Sequence, residues 1–228
     1  MPRKLRMIFP GLPHHVVQRG HNRKAVFVED SDYQYYLDNL EEGKQRFAVK
    51  VYAYCLMTNH VHLVIEPTKE TKSVSELMKL LAARQTRWVN KLERRSGSLW
   101  EGRYKVSPVC RDEYLLQVCR YVELNPVKAK MVREAASYRW SSYRRKVGLE
   151  EKGFLDFDAM YQSLSGNVSR RRKLYQRFVE VSKDEHSRLI EEALSRNQLT
   201  GGSQFRDEIE LRFGIRVENR GRGRPRRK

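Results

Sequence analysis

The sequence predicts an α+β fold of ferredoxin-like type, an antiparallel or mixed sheet with packed helices, extended by a helical C-terminal region and a basic tail. Three observations predict it. Strand-like and helix-like periods follow one another in the order βα–ββ–αβ–α over residues 1–147. Residues 60–66 (HVHLVIE) alternate between two faces, as a half-buried strand does. Residues 73–95 repeat apolar side chains at the helical period.

Each element has its own signal. Residues 14–19 (HHVVQR) read as a short strand that Gly20 ends. Residues 31–46 read as a helix with Ser31 as N-cap. Residues 48–57 are rich in β-branched and aromatic side chains, and the turn Thr58-Asn59 joins them to 60–66 as a hairpin. In the helix over 73–95, Val74, Leu77, Leu80, Leu81, Trp88 and Leu92 fall on one side. Trp100 to Cys110 can form a further strand. Asp112 then caps a helix through Tyr114, Leu115, Val118, Cys119, Tyr121 and Val122, which Pro126 must end or kink.

The organisation changes after residue 147. Residues 148–213 read as a glycine- and serine-containing connector, a densely charged helical stretch at 170–195 and a short amphipathic helix at 204–213. Residues 214–228 (GIRVENRGRGRPRRK) hold almost no core-forming side chain and read as a disordered basic tail.

Composition bounds the function. The 228 residues carry 46 Lys and Arg against 28 Asp and Glu, a net charge of +18, which favours a polyanionic partner. Twelve Tyr, eight Phe and three Trp supply too much aromatic surface for a disordered chain. No apolar run approaches the roughly 20 residues of a membrane-spanning helix. The opening MPRKLRMIFPGLPHH is broken by proline and histidines, unlike a signal peptide. Cys55, Cys110 and Cys119 cannot all pair and read as reduced thiols of a cytoplasmic protein. Neither GxxxxGK[ST] nor GxGxxG occurs, which argues against a nucleotide-driven motor or a Rossmann module.

Chemistry concentrates at two places. On a strand, His60 and His62 share one face, about 6–7 Å apart at Cα, close enough to bind one divalent ion. Taken alone, the pair reads more readily as hydrogen-bonded histidines on a half-exposed strand, since a metal site needs a third ligand. Tyr121 and Asn125 lie one helical turn apart, offering a phenol and a hard amide oxygen suited to Mg²⁺ or Mn²⁺. An ordinary amphipathic core tyrosine is the other reading of Tyr121.

Taken in order, YCLMTNHVHLVIEP (54–67), LWEGRYKVSPV (99–109), YLLQVCRYVELNPVKAKMV (114–132) and WSSYR (140–144) resemble the single-tyrosine HUH transposases. The opening PGLPHHVVQRGHNR, the NPV after the tyrosine and the basic tail resemble the REP-associated tyrosine transposase branch. The resemblance covers residues 6–147 closely.

It implies an HUH endonuclease fold in which His60, His62 and Asn125 hold a divalent metal, Mg²⁺ or Mn²⁺, and Tyr121 is the nucleophile. Asn125 stands where the insertion-sequence enzymes usually carry Gln, one methylene longer. The implied activity is that of a single-stranded DNA endonuclease and strand transferase acting at REP-type hairpins. It would pass through a 5′-phosphotyrosine, and a 3′-OH would rejoin the strands. Homodimer and monomer both remain open. The alternative is a DNA-binding protein of the same fold without catalysis, against which the intact His60, His62 and Tyr121 weigh; an RNA-binding module ranks below both.

Arg3, Lys4, Arg6, Arg19, Arg23, Lys24, Arg84 and Arg87 are candidate phosphate contacts, each singly also readable as a solvated surface charge. Arg222 and Arg224 belong to an Arg-Gly-Arg-Pro core resembling an AT-hook, or to a nonspecific basic tail. Trp88, Trp100 and Trp140 read as core more readily than as base-stacking platforms.

Overall fold

The computed structural model describes residues 6–181 and 185–217. Arg3, Lys4, Arg222 and Arg224 lie outside the described residues. The sheet contains β1 (His14–Arg19), β2 (Val49–Met57), β3 (His60–Pro67) and β4 (Lys105–Pro108) in the order β2-β3-β1-β4. Every neighbouring pair runs antiparallel. The expected hairpin and the ferredoxin-like order are both present, and among the described strands no pair makes the sheet mixed.

Two helices cross on one face. They are α1 (Asp30–Arg46) and α2 (Lys72–Leu92), which pack on each other and on β2 and β3. Gly43 permits their close approach: a Cβ there would stand 2.5 Å from Leu77 Cδ1. Val16, Val61, Leu63 and Ile65 are fully buried in the core. Val61, Leu63 and Ile65 turn toward this layer, since successive strand residues alternate faces. On the opposite face lies α3 (Arg111–Glu123), also packed on β2 and β3.

Several boundaries differ from the sequence expectations. Helix α1 begins one residue before Ser31, and its cap is Glu29: the Asp32 carboxylate accepts from the N–H groups of Val28 (2.8 Å) and Glu29 (3.0 Å). A carboxylate satisfies two orphan donors here, which the Ser31 hydroxyl cannot do from inside the helix. Asp112 likewise sits in the first turn of α3, behind the cap residue Cys110. Leu92 ends α2 and is exposed, the apolar stripe being completed by Met78 and Val89 instead. The strand expected from Trp100 to Cys110 is regular only over Lys105–Pro108; earlier, Trp100 makes a single bridge to Gly20. Pro126 does end α3 as expected, and a short α4 (Asn125–Lys128) follows.

The C-terminal region packs on α3 and on the β1–β4 side of the sheet. It holds α5 (Tyr143–Val147), α6 (Ala159–Ser163), α7 (Val168–Val181), α8 (Ser187–Arg196) and α9 (Ser203–Phe213), so the charged stretch at 170–195 is two helices. Helix α8 packs on β1 and β4, and its Ile190 joins the main core. Phe205 and Ile209 of α9 pack with Phe9 and Leu12 near the start of the chain.

A buried polar knot ties α3 to α5 and α7. The Glu123 carboxylate receives Ser142 Oγ (2.6 Å), Tyr175 OH (2.7 Å) and Lys146 Nζ (3.1 Å), with both Lys146 and Glu123 shut off from solvent. A charge pair in this setting is destabilising once one partner is lost, because the other stays buried and unpaired. Lys146→Met is therefore expected to cost about 3–5 kcal/mol, read as a drop in the urea midpoint at unchanged slope. A loss below about 1 kcal/mol would mean that water reaches Glu123.

Candidate functional site

Register builds the site. In β1–β3 pairing, His15 lies opposite Val64, Val17 opposite His62, and Arg19 opposite His60. Directly opposed residues share a face, so His15, Val17, Arg19, His60 and His62 all point toward α3. Tyr121 reaches down from α3 onto them, 7% exposed, with ring centroids 6.0 Å from His62 and 5.7 Å from His15. The His60 and His62 rings are 4.9 Å apart.

A cavity of about 550 Å³ opens here. His60, His62, Tyr121 and Asn125 all line it, together with Arg19, Glu101, Arg103, Lys105, Glu191 and Ser195. The four residues singled out for chemistry in the sequence thus meet in one place. Arg19, Arg103 and Lys105 make its rim basic, and Lys128 Nζ stands 4.6 Å from the Tyr121 ring centroid.

Each imidazole is oriented through its second nitrogen. His60 Nδ1 lies 2.6 Å from Asn59 Oδ1, which can only accept, so Nδ1 carries the proton and Nε2 the lone pair. His62 Nδ1 bonds His15 Nε2 at 3.0 Å. If His62 donates there, its Nε2 is also left with a lone pair, the arrangement typical of a metal-ligating histidine. Burial, reinforced by Arg19, lowers His60 to about 4; burial, then His15, His60 and Arg19, holds His62 well below its ordinary value. Both rings are neutral at physiological pH.

Asn125 departs from the expected geometry. It opens α4 instead of closing α3, and its Nδ2 donates to the carbonyls of Tyr121 (2.8 Å) and Val122 (3.3 Å). That anchors the amide beneath the tyrosine and leaves Oδ1 as its remaining donor atom. Among the described residues no three His, Cys, Asp or Glu side chains converge as a metal group. Two neutral imidazoles and an amide oxygen still form a donor set that suits a small divalent cation.

Two neighbours escaped sequence reading. His15 holds His62 from the adjacent strand, and only the β1–β3 register could reveal that pairing. Glu191, from α8, accepts the Tyr121 hydroxyl at 3.4 Å; the inward pair Ile190 and Leu194 marks the buried side of α8 but says nothing of what it covers.

The candidate phosphate contacts separate. Arg19 lines the cavity, and exposed Arg23 and Lys24 follow it on the turn after β1. Arg6 lines a different cavity, with its guanidinium 3.8 Å over the Tyr104 ring. Arg84 is ion-paired with Glu42 and bonded to Asn39, which ties α2 to α1 on the other face of the sheet. Arg87 is exposed on the same helix. Trp88 and Trp140 stack on Tyr35 (4.4 Å) and Tyr33 (4.7 Å), as core side chains do.

Fold and cavity together define an α+β protein that presents a helix-borne tyrosine to two histidines on the central part of an antiparallel sheet. Residues 9–125, more than half of the chain, match the family model "Transposase IS200 like". The chain belongs to that family of transposases. Its fold is shared with a REP-associated tyrosine transposase solved with a REP hairpin bound: TM-score 0.57 at 16% identity, over 70% of this chain and 93% of that one. A putative transposase from Deinococcus radiodurans R1 aligns with TM-score 0.38 and 21% identity over 54% of this chain and 96% of its own. No curated protein matches the chain. No helix among the described residues is long and apolar enough to cross a membrane.

Proposed function

We propose that this chain is a divalent-metal-dependent endonuclease and strand transferase that cuts single-stranded DNA beside REP-type hairpins through a 5′-phosphotyrosine at Tyr121. The observation that carries the proposal is the meeting of Tyr121 with His60, His62 and Asn125 in one basic cavity. The hairpin substrate is carried over from the DNA-bound relative. A cytoplasmic location at the nucleoid fits this substrate.

His60 Nε2, His62 Nε2 and Asn125 Oδ1 would hold the metal, Mg²⁺ or Mn²⁺. Bound there, it supplies charge neutralisation at a phosphate that otherwise repels nucleophiles. Arg19, Arg103 and Lys105 draw the strand backbone into the cavity and hold it. The Tyr121 oxygen attacks phosphorus; the bond from phosphorus to the 3′-oxygen breaks, and that oxygen takes a proton from water. Glu191 accepts the phenol proton, since its carboxylate already faces the hydroxyl. The reverse attack by a 3′-OH rejoins strands without ATP, because the phosphotyrosine keeps the ester bond energy.

The test is a denaturing gel of the full chain incubated with a REP-type hairpin oligonucleotide carrying single-stranded flanks and Mn²⁺ or Mg²⁺. A covalent adduct through the 5′ phosphate of the downstream fragment, lost with EDTA, is expected, with a free 3′-OH on the upstream fragment. Binding without adduct across a series of hairpins would leave only the non-catalytic DNA-binding reading. Glu191→Gln is expected to slow adduct formation by about 100-fold with strand affinity unchanged. An unchanged rate would remove Glu191 from the proton path.

A further inference from the structure

Helix α7, with the sequence VSRRRKLYQRFVEV, holds four arginines, one lysine and a single acid. Tyr175 and Val179 bury its inner side. Two of the arginines are tied to the protein itself. Arg171 Nη1 donates to Ser165 O at 2.9 Å, and Arg172 pairs with Glu151 at 3.0 Å. Glu180 turns aside and accepts from Gln176 Nε2 (3.0 Å) and Tyr143 OH (3.4 Å). Arg170, Lys173 and Arg177 are left over. They recur at i, i+3 and i+7, so they share the outer face, and all three are exposed. Among the described residues no side-chain hydrogen bond or ion pair engages them.

This charged face suits one partner. Three cations spread over seven residues span about 10.5 Å of helix. Over that length one strand of a double helix presents about three phosphates, one for each ~3.4 Å of axis. A rigid helix meets such a fixed row without having to order a flexible chain. Single strands are held by stacking as well as by charge, and both aromatic side chains of α7 turn inward. Tyr175 is fully buried and Phe178 half-buried. A lipid surface takes up a broad apolar face, whereas only Leu174 and Val181 emerge on this side. The Tyr121 cavity takes no lining residue from α7. The helix is nevertheless anchored beside the nucleophile candidate, because Arg120 Nε donates to Val179 O at 3.0 Å.

We propose that the outer face of α7 binds the phosphate backbone of a separate stretch of double-stranded DNA, while a strand occupies the Tyr121 cavity. The proposal rests on the DNA-cleaving reading for its partner and adds a second place where DNA is held. Arg170, Lys173 and Arg177 meet phosphates alone, so the contact is independent of sequence.

Fluorescence anisotropy of the full chain with a labelled blunt duplex of arbitrary sequence, free of hairpin and single-stranded flank, reads the contact. The triple variant Arg170→Gln, Lys173→Gln and Arg177→Gln is expected to bind the duplex about tenfold more weakly. Its slope of log K against log salt should flatten by about 2.7, or about 0.9 for each lost phosphate contact. Glutamine suits an exposed helix position, so the variant keeps its fold. A control triple, Lys50→Gln, Lys69→Gln and Lys91→Gln, removes the same charge from exposed sites on other elements and should keep the parent slope. Equal losses in the two triples, or no loss in the α7 triple, overturn the proposal. With one equivalent of unlabelled hairpin already bound, the duplex is expected to bind as before; its displacement would assign α7 to the stem of that hairpin and overturn a separate site. Capture on phosphatidylglycerol–phosphatidylcholine vesicles, lost in the α7 triple while duplex binding is kept, would make the face a membrane contact instead. Duplex binding through α7 by a chain that forms no adduct removes only the cleavage reading. An adduct in a chain whose duplex binding ignores the α7 triple removes only this face.

Discussion

Tyr121→Phe is expected to abolish the covalent protein–DNA adduct, by several orders of magnitude in rate, while the protein folds and binds the hairpin strand as before. The substitution deletes one oxygen. The ring keeps its packing against His15 and His62, 5.7 and 6.0 Å away, and the hydroxyl's partner Glu191 is exposed and returns to water. Little stability is therefore at stake, whereas the attacking atom is gone. An adduct at the parent rate would shift the nucleophile to another tyrosine. Tyr114 is the test of that outcome, since it lies on the same helix but against His186, two turns from the histidine pair. A Tyr114→Phe chain that loses the adduct while Tyr121→Phe keeps it would overturn the assignment.

Acid is expected to destabilise the metal-free chain steeply below about pH 6.5. His14 and His15 are fully buried at the start of the sheet. Burial lowers each from 6.5 to about 3. His14 Nε2 is already occupied by the Phe9 N–H at 3.1 Å, and His15 Nε2 by His62. Above pH 6.5 neither residue binds a proton in either state, so neither affects stability there. Between about 6.5 and 3 the unfolded chain takes up protons that the folded chain refuses, and stability falls as pH falls. Each histidine contributes about 1.4 kcal/mol per pH unit, so the pair removes about 4 kcal/mol by pH 5, a large part of a typical 5–15 kcal/mol. Urea midpoints in EDTA at pH 7.5, 6.5, 5.5 and 5 read this directly. Equal midpoints at pH 7.5 and 5 would show that the folded chain protonates these rings freely.

Much of the fold was legible because its signals are local. The turn Thr58-Asn59 between two β-rich runs, and the alternation of Val61, Leu63 and Ile65 against His60 and His62, define a hairpin without reference to the rest of the chain. Pro126 ends α3 wherever that helix packs. Boundaries were less legible where side chains compete for the same backbone groups. Ser31 and Asp112 are both good caps by type, yet Asp32 reaches two donors at once and displaces the one, while Cys110 starts α3 ahead of the other. Leu92 follows the helical period but emerges beyond the sheet that would have buried it.

For function, the residue types and order of His60, His62, Tyr121 and Asn125 already named a chemistry, because each imidazole, phenol or amide brings its donor atom with it. Whether those atoms could meet was a question about β3 and α3, separated by a long helix and an edge strand, and only packing answered it. The same holds more strongly for His15 and Glu191. Their neighbours in sequence are unremarkable; their neighbours in space are a metal-ligand candidate and the nucleophile candidate. Strand register decides the first, and the docking of α8 on β1 and β4 the second. The sequence by itself determined the antiparallel α+β plan, the basic character and the chemical groups, all of which depend on short-range pattern or on composition. Tertiary structure alone decided which charges line the cavity, as Arg19 does, and which, like Arg84 on Glu42, pair across helices. A charge acts through what stands within a few ångströms of it, and the folded chain sets that distance.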